Sequence, residues 1–232
     1  MMSIDLPYDL RSLEISSKDF WHPSFIHGMG HTVRVSIFAS MIGYLTGHVR
    51  EGQKASVAAL FHDMARCSDG EDALHGKRSA EQVLPKYMEY ILSLGFSEND
   101  IQEMQCAVEW HSYPKELASS HPYVLTTYIL KDADALDRIR IKALDPQYLR
   151  LADGSMIEMA KMYYIMMFRY ISMTHPEVEM LSPACEDIIH WIDSEALYYS
   201  LQQHLDTYPE PTIRCIMDTL ETPMLYYHML KL

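Results

Sequence analysis

The chain is short of positive charge, of cysteine and of long apolar runs, and each shortage closes off a class of function. Nineteen Lys and Arg face 32 Asp and Glu, a formal net charge of −13. A surface of that sign repels nucleic-acid phosphates and anionic headgroups, so neither broad nucleic-acid binding nor membrane association is expected. A small anionic phosphate substrate is still admissible if one pocket is locally positive, and a bound metal ion is the simplest way for an acidic protein to make it so. Cys67, Cys106, Cys185 and Cys215 are widely spaced with no C-x-x-C pair. That argues against a disulfide framework and for reduced thiols in a cytoplasmic protein. The opening "MMSIDLPYDL" has neither the basic start nor the apolar run of a secretory signal. The most apolar window, "MYYIMMFRYISM" from Met162 to Met173, is too short to span a bilayer and contains Arg169. A soluble protein is the expectation.

Strand signals are scarce too. No alternating β-branched run is closed by an Asn-Gly or Asp-Gly turn. Helical spacing is frequent instead. In "HTVRVSIFASMIGYL", His31, Val35, Phe38, Ile42 and Leu45 follow one helical face, and Gly47 marks a stop. "EGQKASVAALFHDMARC" continues with small residues suited to close packing, and "SDGEDALHG" reads as a polar loop. A helix is predicted from Arg78 to Leu94, interrupted or restarted near Pro85 and stopped by Gly95. "SENDIQEMQCAVEWH" opens on the caps Ser97 and Asn99 or Asp100 and sets Ile101, Met104, Val108 and His111 on one stripe. "VLTTYILKDADALDRIRIKAL" follows, ending near Asp145-Pro146. Helical stretches are also predicted at Ser155–Met173, Pro183–Leu205 and Thr212–Leu232. The reading is all-α, with a break that separates residues 1–145 from a C-terminal helical extension, 146–232, packed on the first part.

The ionisable residues fall in unexpected places. His31 begins one core-facing stripe, His62 closes a second and His111 closes a third, while His27 lies one turn before His31. The helix carrying Asp132, Asp134 and Asp137 is otherwise apolar over its preceding turns. A single His-Asp pair means little, because 12 histidines would give ~1 such dipeptide by chance. Any one of these histidines is better explained as a core imidazole satisfied by a carbonyl. The set is not, since burying several imidazoles and carboxylates together costs several kcal/mol unless something satisfies them jointly. A divalent cation does so. Imidazole nitrogen and carboxylate oxygen suit Mn, Fe, Co, Ni or Zn, and without a thiolate cluster no structural zinc site is indicated.

In chain order, "HGMGHTVRV", "AALFHDMAR" and "ILKDADALDRIR" resemble the H…HD…D signature of the HD-domain metal-dependent phosphohydrolase superfamily, over roughly Ser24 to Leu144. The resemblance implies an HD-type helical bundle with a divalent metal ion (Mn, Fe, Co, Ni, Mg or Zn) held by His31, His62, Asp63 and Asp134. Asp132 competes with Asp134 for the last place, and Asp137 is read as a supporting or helix-surface group. His75 and His111 resemble positions that carry a second ion in binuclear members; without that ion they are candidate proton donors. His27 is a candidate support for a ligand or for the start of its helix. The guanosine-tetraphosphate hydrolase branch is disfavoured, since Glu71-Asp72 comes too late after the His-Asp pair.

The chemistry so implied is hydrolysis of a nucleotide or another phosphoester or phosphoanhydride by metal-activated water, with Asp63 ligating and orienting the nucleophile. Arg34, Arg66, Lys77, Lys131 and Arg138 are candidate substrate cations, Arg34 and Lys131 foremost. The loop Ser68–Leu74 reads equally as a lid or as a plain connection. Two alternatives stand beside this: an HD-type mixed-valent di-iron oxygenase using the same ligands, and a non-catalytic ligand-sensing module whose Met- and Tyr-rich helices at 156–173 and 191–199 form a partner surface. A homodimer interface is allowed by the C-terminal helices.

Overall fold

The computed structural model describes residues 7–8, 15, 17–22, 24, 26–141, 143–161 and 163–164. The expected helices at 183–205 and 212–232, the partner surface at 191–199 and the end of the expected 155–173 helix lie outside the described residues.

Every regular element among the described residues is helical, as the spacing predicts. The main helices are α1 (Met29–Leu45), α2 (Val49–Ala59), α3 (His75–Arg78), α4 (Met88–Ser93), α5 (Glu98–His111) and α6 (Val124–Asp137). Residues 154–161 and 163–164 are helical as well. The all-α reading holds.

α1 is the axis of the molecule. The sequence shows one apolar stripe on it, but Val33, Ile37, Ala39 and Met41 are buried along with Val35, Phe38 and Ile42. A helix apolar on all sides belongs in a core. It packs against α2 and α6, while α5 closes the far side of α2 and α6. The α1–α2 crossing depends on two glycines. A Cβ on Gly43 would stand 2.4 Å from the Gly52 Cα, so the two backbones themselves are in contact. Beneath this layer, Lys54 of α2 donates to Glu103 of α5 at 2.7 Å, and Thr126 of α6 donates to the other oxygen of the same carboxylate. One buried ion pair with its hydrogen bond thus ties three helices, and breaking it from one side would strand a charge.

Helix ends follow local chemistry. Gly47 (φ 77°) and Gly95 (φ 84°) stop α1 and α4 in the left-handed region. Ser97 and Asp100 form a reciprocal capping box at the start of α5. Between α3 and α4 the chain passes through a π turn, Ser79–Val83, and a 3₁₀ turn, Leu84–Tyr87, that accommodates Pro85.

Two boundaries differ from expectation. α2 ends at Ala59, not near Cys67. From Leu60 onward the amides bond three residues back (Leu60 to Val57, Phe61 to Ala58, Met64 to Phe61), so the chain tightens into turns that aim His62 and Asp63 inward. α6 ends at Asp137, short of Asp145-Pro146, and gives way to a 3₁₀ turn at Arg138–Ile141.

The described residues beyond 145 share the same core. Met156, Met159, Ala160, Tyr163 and Tyr164 are buried, with Tyr163 and Tyr164 set edge-on to Phe38 of α1 at 5.3 and 6.0 Å. No helix among the described residues is long and apolar enough to cross a membrane.

Gly43→Ala is expected to lower the melting temperature by several degrees. Its gain in helix propensity, about 1 kcal/mol, is outweighed by an overpacking cost of about 1–3 kcal/mol, at the upper end because backbone blocks the new methyl. Gly154→Ala, with nothing within 4 Å, is the control and should not lower it. Calorimetry of both variants decides; an unchanged Gly43→Ala would mean that the two helices are not in backbone contact.

Candidate active site

Four imidazoles surround one carboxylate. His31 comes from the first turn of α1, His62 and Asp63 from the turns after α2, His75 from the start of α3 and His111 from the end of α5. All five are buried. Gly76 permits part of this convergence: a Cβ there would lie 2.6 Å from the Val108 carbonyl oxygen and 2.6 Å from Ser112 Oγ. Without a side chain, α3 can lie against the end of α5 and bring His75 to His111.

Each ring is anchored through Nδ1. His62 Nδ1 lies 2.6 Å from the Ala59 carbonyl, His75 Nδ1 2.5 Å from that of Asp72, and His111 Nδ1 2.6 Å from that of Val108. Carbonyl oxygens only accept, so these Nδ1 atoms carry the proton and donate it, leaving each neutral ring with a lone pair on Nε2. His31 Nδ1 donates in the same way to Asp137 Oδ2 at 2.7 Å.

The Nε2 atoms therefore meet around Asp63 in two pairs. On one side, His31 and His62 Nε2 are 3.2 Å apart, and Asp63 Oδ2 lies 3.3 and 3.7 Å from them. On the other, His75 and His111 Nε2 are 2.9 Å apart, and Asp63 Oδ1 lies 3.0 and 3.6 Å from them. Two lone pairs facing each other beside a carboxylate repel unless a cation stands between them. Asp63 Oδ1 is buried, and no hydrogen bond reaches it. Arg66 Nε is 3.1 Å away but does not direct its N–H at the oxygen, so this contact is purely electrostatic. Both triads, His31–His62–Asp63 and Asp63–His75–His111, have the compactness of a metal-binding group.

The electrostatics are those of a cation-seeking pocket. Burial pushes His62 down to about 3, so that ring is neutral. For Asp63, burial acts upward, but the surrounding imidazoles of His62, His111, His31 and His75 outweigh it and keep the carboxyl ionised. His31 is pushed up to about 10: burial opposes the shift, but hydrogen bonds to Asp134, Asp137 and Asp63 override it. With no ion bound, a second proton on His31 supplies the positive charge that these carboxylates demand.

Asp134 completes the His31 side, with Oδ1 3.3 Å from His31 Nε2 and 3.9 Å from His62 Nε2. Its side chain is 34% exposed, whereas those of the five central residues are between 0 and 7% exposed, so the site opens at Asp134. Asp132, its rival in the sequence, faces the other way. It accepts the amides of Arg150 (2.9 Å), Leu151 (2.7 Å) and Ala152 (2.9 Å) and the Arg150 guanidinium (3.1 Å), a full set of partners far from any histidine.

The expected substrate cations scatter. Arg34 forks onto Asp137 at 2.8 and 3.2 Å instead of facing a ligand, because a guanidinium this deep must be paired. Lys131 is spent on the carbonyls of Tyr113 and Lys115 and on Glu116, where it ties down the loop after α5. Lys77 points outward toward Glu81. Arg66 stays beside Asp63 and also reaches the carbonyls of Ser68 and Gly70. Arg138 is exposed, one helical turn beyond Asp134. His27 sets its ring edge-on to that of His31 at 5.7 Å, and its Nδ1 lies 3.1 Å from Asp69, which also accepts from Ser24 and so clasps the 68–74 loop to the segment before α1. Asp137, read in the sequence as a supporting or helix-surface group, is buried and accepts from His31 and Arg34; those partners and the role of Asp69 were hidden, although Asp137 sits three residues after Asp134 and Arg34 three after His31, each pair on a common helical face.

No curated protein and no solved structure matches the chain. A family profile does: residues 21–174, about two thirds of the chain, match the SidE phosphodiesterase (PDE) domain. This overturns the resemblance to the HD-domain superfamily. The H…HD…D order is carried by a few residues of common types, spaced as a helical bundle spaces them, and it does not distinguish two families that bring His and Asp together in this way. The match also runs past residue 145 and takes in the helical residues 154–161 and 163–164. The chain thus belongs to the SidE phosphodiesterase domain family, and its activity is that of a phosphoester hydrolase.

Proposed function

We propose that this chain hydrolyses small phosphodiesters, nucleotides among them, with the help of divalent cations held on the two sides of Asp63. The supporting observation is the pairing of Nε2 atoms, 3.2 and 2.9 Å apart, across a buried carboxylate with one unpartnered oxygen. His31, His62, Asp63 and Asp134 would hold one ion, and Asp63, His75 and His111 a second. Neutral imidazole and carboxylate suit Mn, Fe, Co, Ni or Zn, and Mg less well. Ions so placed supply Lewis acidity toward a phosphoryl oxygen and lower the pKa of bound water.

The chain's own groups do the rest. Nδ1 anchoring holds each ring in the metal-binding tautomer before substrate arrives, so no reorganisation is needed at the reacting centre. Asp63 spans both sides and orients what binds between them. Arg66, beside Asp63, and Arg138, at the open rim near Asp134, are the cations placed to offset charge on a diester. The buried walls exclude water from all but the Asp134 side. A net charge of −13 disfavours long nucleic-acid polymers as substrates.

Metal analysis of the purified protein, coupled to hydrolysis of bis(p-nitrophenyl) phosphate and a panel of nucleotide diesters, tests the reading. Close to two equivalents of Mn per chain, activity lost to a chelator and restored by Mn, are expected; full activity in the exhaustively chelated protein would sink it. Asp63→Asn should cost at least about a thousandfold in kcat, the scale of losing a preorganised electrostatic group, with KM changed far less.

The two neighbouring aspartates make a sharper contrast. Asp132→Ala is expected to destabilise the fold by about 3 kcal/mol, because it strands buried donors, while Mn affinity is kept. Asp134→Ala should leave the melting temperature nearly unchanged and weaken Mn binding and turnover. The opposite pattern, read by calorimetry and titration, would exchange their roles.

A further inference from the structure

Asp137 is fully buried, and more donors converge on it than a merely structural carboxylate at a helix end requires. His31 Nδ1 donates to Oδ2 at 2.7 Å; Arg34 donates through Nε to Oδ1 at 2.8 Å and through Nη2 to Oδ2 at 3.2 Å; and the Tyr164 hydroxyl donates to Oδ1. The donors come from α1 and from the helical pair 163–164, while the carboxylate is the last residue of α6. The chain makes room for the fork: a Cβ on Gly30 would stand 3.1 Å from Arg34 Nη1, where a side chain would crowd the guanidinium.

Tyr164 is itself 1% exposed and set edge-on to Phe38 and Tyr163. Phenylalanine would satisfy that packing. A hydroxyl there is costly unless it is used, and here it is used on the carboxylate that sets the ring of His31. A neutral imidazole is a ligand through Nε2 only if Nδ1 keeps the proton, and the partner of Nδ1 decides that tautomer and the angle of the ring.

We infer that Tyr164 and Arg34 are positioning residues of the active site: together they fix the Asp137 carboxylate, and Asp137 fixes the tautomer and aim of His31. The helical segment that carries Tyr164 is on this view part of the catalytic apparatus, not a cover laid over it. The inference rests on His31 being a functional member of the site, the reading proposed above.

Tyr164→Phe in the full-length chain tests it with two readouts. In the metal-free protein, long-range proton–nitrogen correlation spectra of the ring nitrogens should show His31 with a strongly hydrogen-bonded Nδ1 proton, and the substitution should shift or broaden that resonance while those of His62, His75 and His111 stay put. In the Mn-loaded protein, Mn affinity and kcat should fall by about tenfold, the lower end for loss of a group that orients a metal-ligating histidine, with KM for bis(p-nitrophenyl) phosphate changed less than about twofold. Arg34→Lys, which keeps the charge but not the fork, should shift the same resonance and is the variant to read if Tyr164→Phe does not fold. Wild-type values of the His31 resonance, Mn affinity and kcat in a folded Tyr164→Phe protein overturn the inference. If the wild-type chain binds no Mn and hydrolyses nothing, the proposed function falls while the His31 resonance still decides the positioning role.

Discussion

One carboxylate surrounded by imidazoles that turn their Nε2 atoms toward it and toward one another is the constraint on which this site depends. Four rings donate through Nδ1, three to backbone carbonyls and one to Asp137, and so present Nε2 to Asp63. Each anchor is an ordinary hydrogen bond, worth about 1 kcal/mol net. Their joint effect is much larger, because they oblige several lone pairs and a carboxylate to share a buried space. Water is largely excluded, and a lone positive charge on His31 cannot satisfy both sides of Asp63 at once. Divalent cations, as proposed, would resolve the repulsion.

The rest of the bundle serves that geometry. α1 is buried all round and carries His31 and Arg34 at the end nearest the site. α2 ends early, so that the His62–Asp63 pair leaves the helix in tight turns, and Gly76 lets α3 lie against α5. Polar groups that could confuse the site are used elsewhere: Asp132 gathers the amides of 150–152, Lys131 ties down the loop after α5, and Lys54 pairs with Glu103 beneath the site. Three acidic residues within six positions of α6 thus serve three ends, a fold staple at Asp132, an open rim at Asp134 and a partner for a histidine at Asp137.

Much of this was legible in the residues. Apolar spacing gave the helices and their glycine stops, and the places of His31, His62 and His111 at the ends of core-facing stripes pointed to a shared site, because burying so many ionisable groups separately is too costly; His75 was offered only by the resemblance. Family membership was not legible. A handful of His and Asp positions on helices fits more than one family, and only a profile over residues 21–174 separates them. The partners of the arginines were hidden as well. Spacing placed Arg34 one turn from His31, but whether a guanidinium faces substrate or a buried carboxylate depends on α6, which is remote in sequence. Tyr164 was invisible for the same reason: nothing local marks a core tyrosine as the donor to an aspartate 27 residues earlier.

Membership of a phosphodiesterase family gives phosphoester hydrolysis, and the proposed cation sites would supply its chemistry beside the exposed Asp134. Anomalous diffraction from crystals of the Mn-loaded chain bears most directly on the central claim. Two peaks are predicted, one among His31, His62, Asp63 and Asp134 and one among Asp63, His75 and His111, with Asp63 between them. A catalytically active crystal with no peak on either side of Asp63 would contradict it.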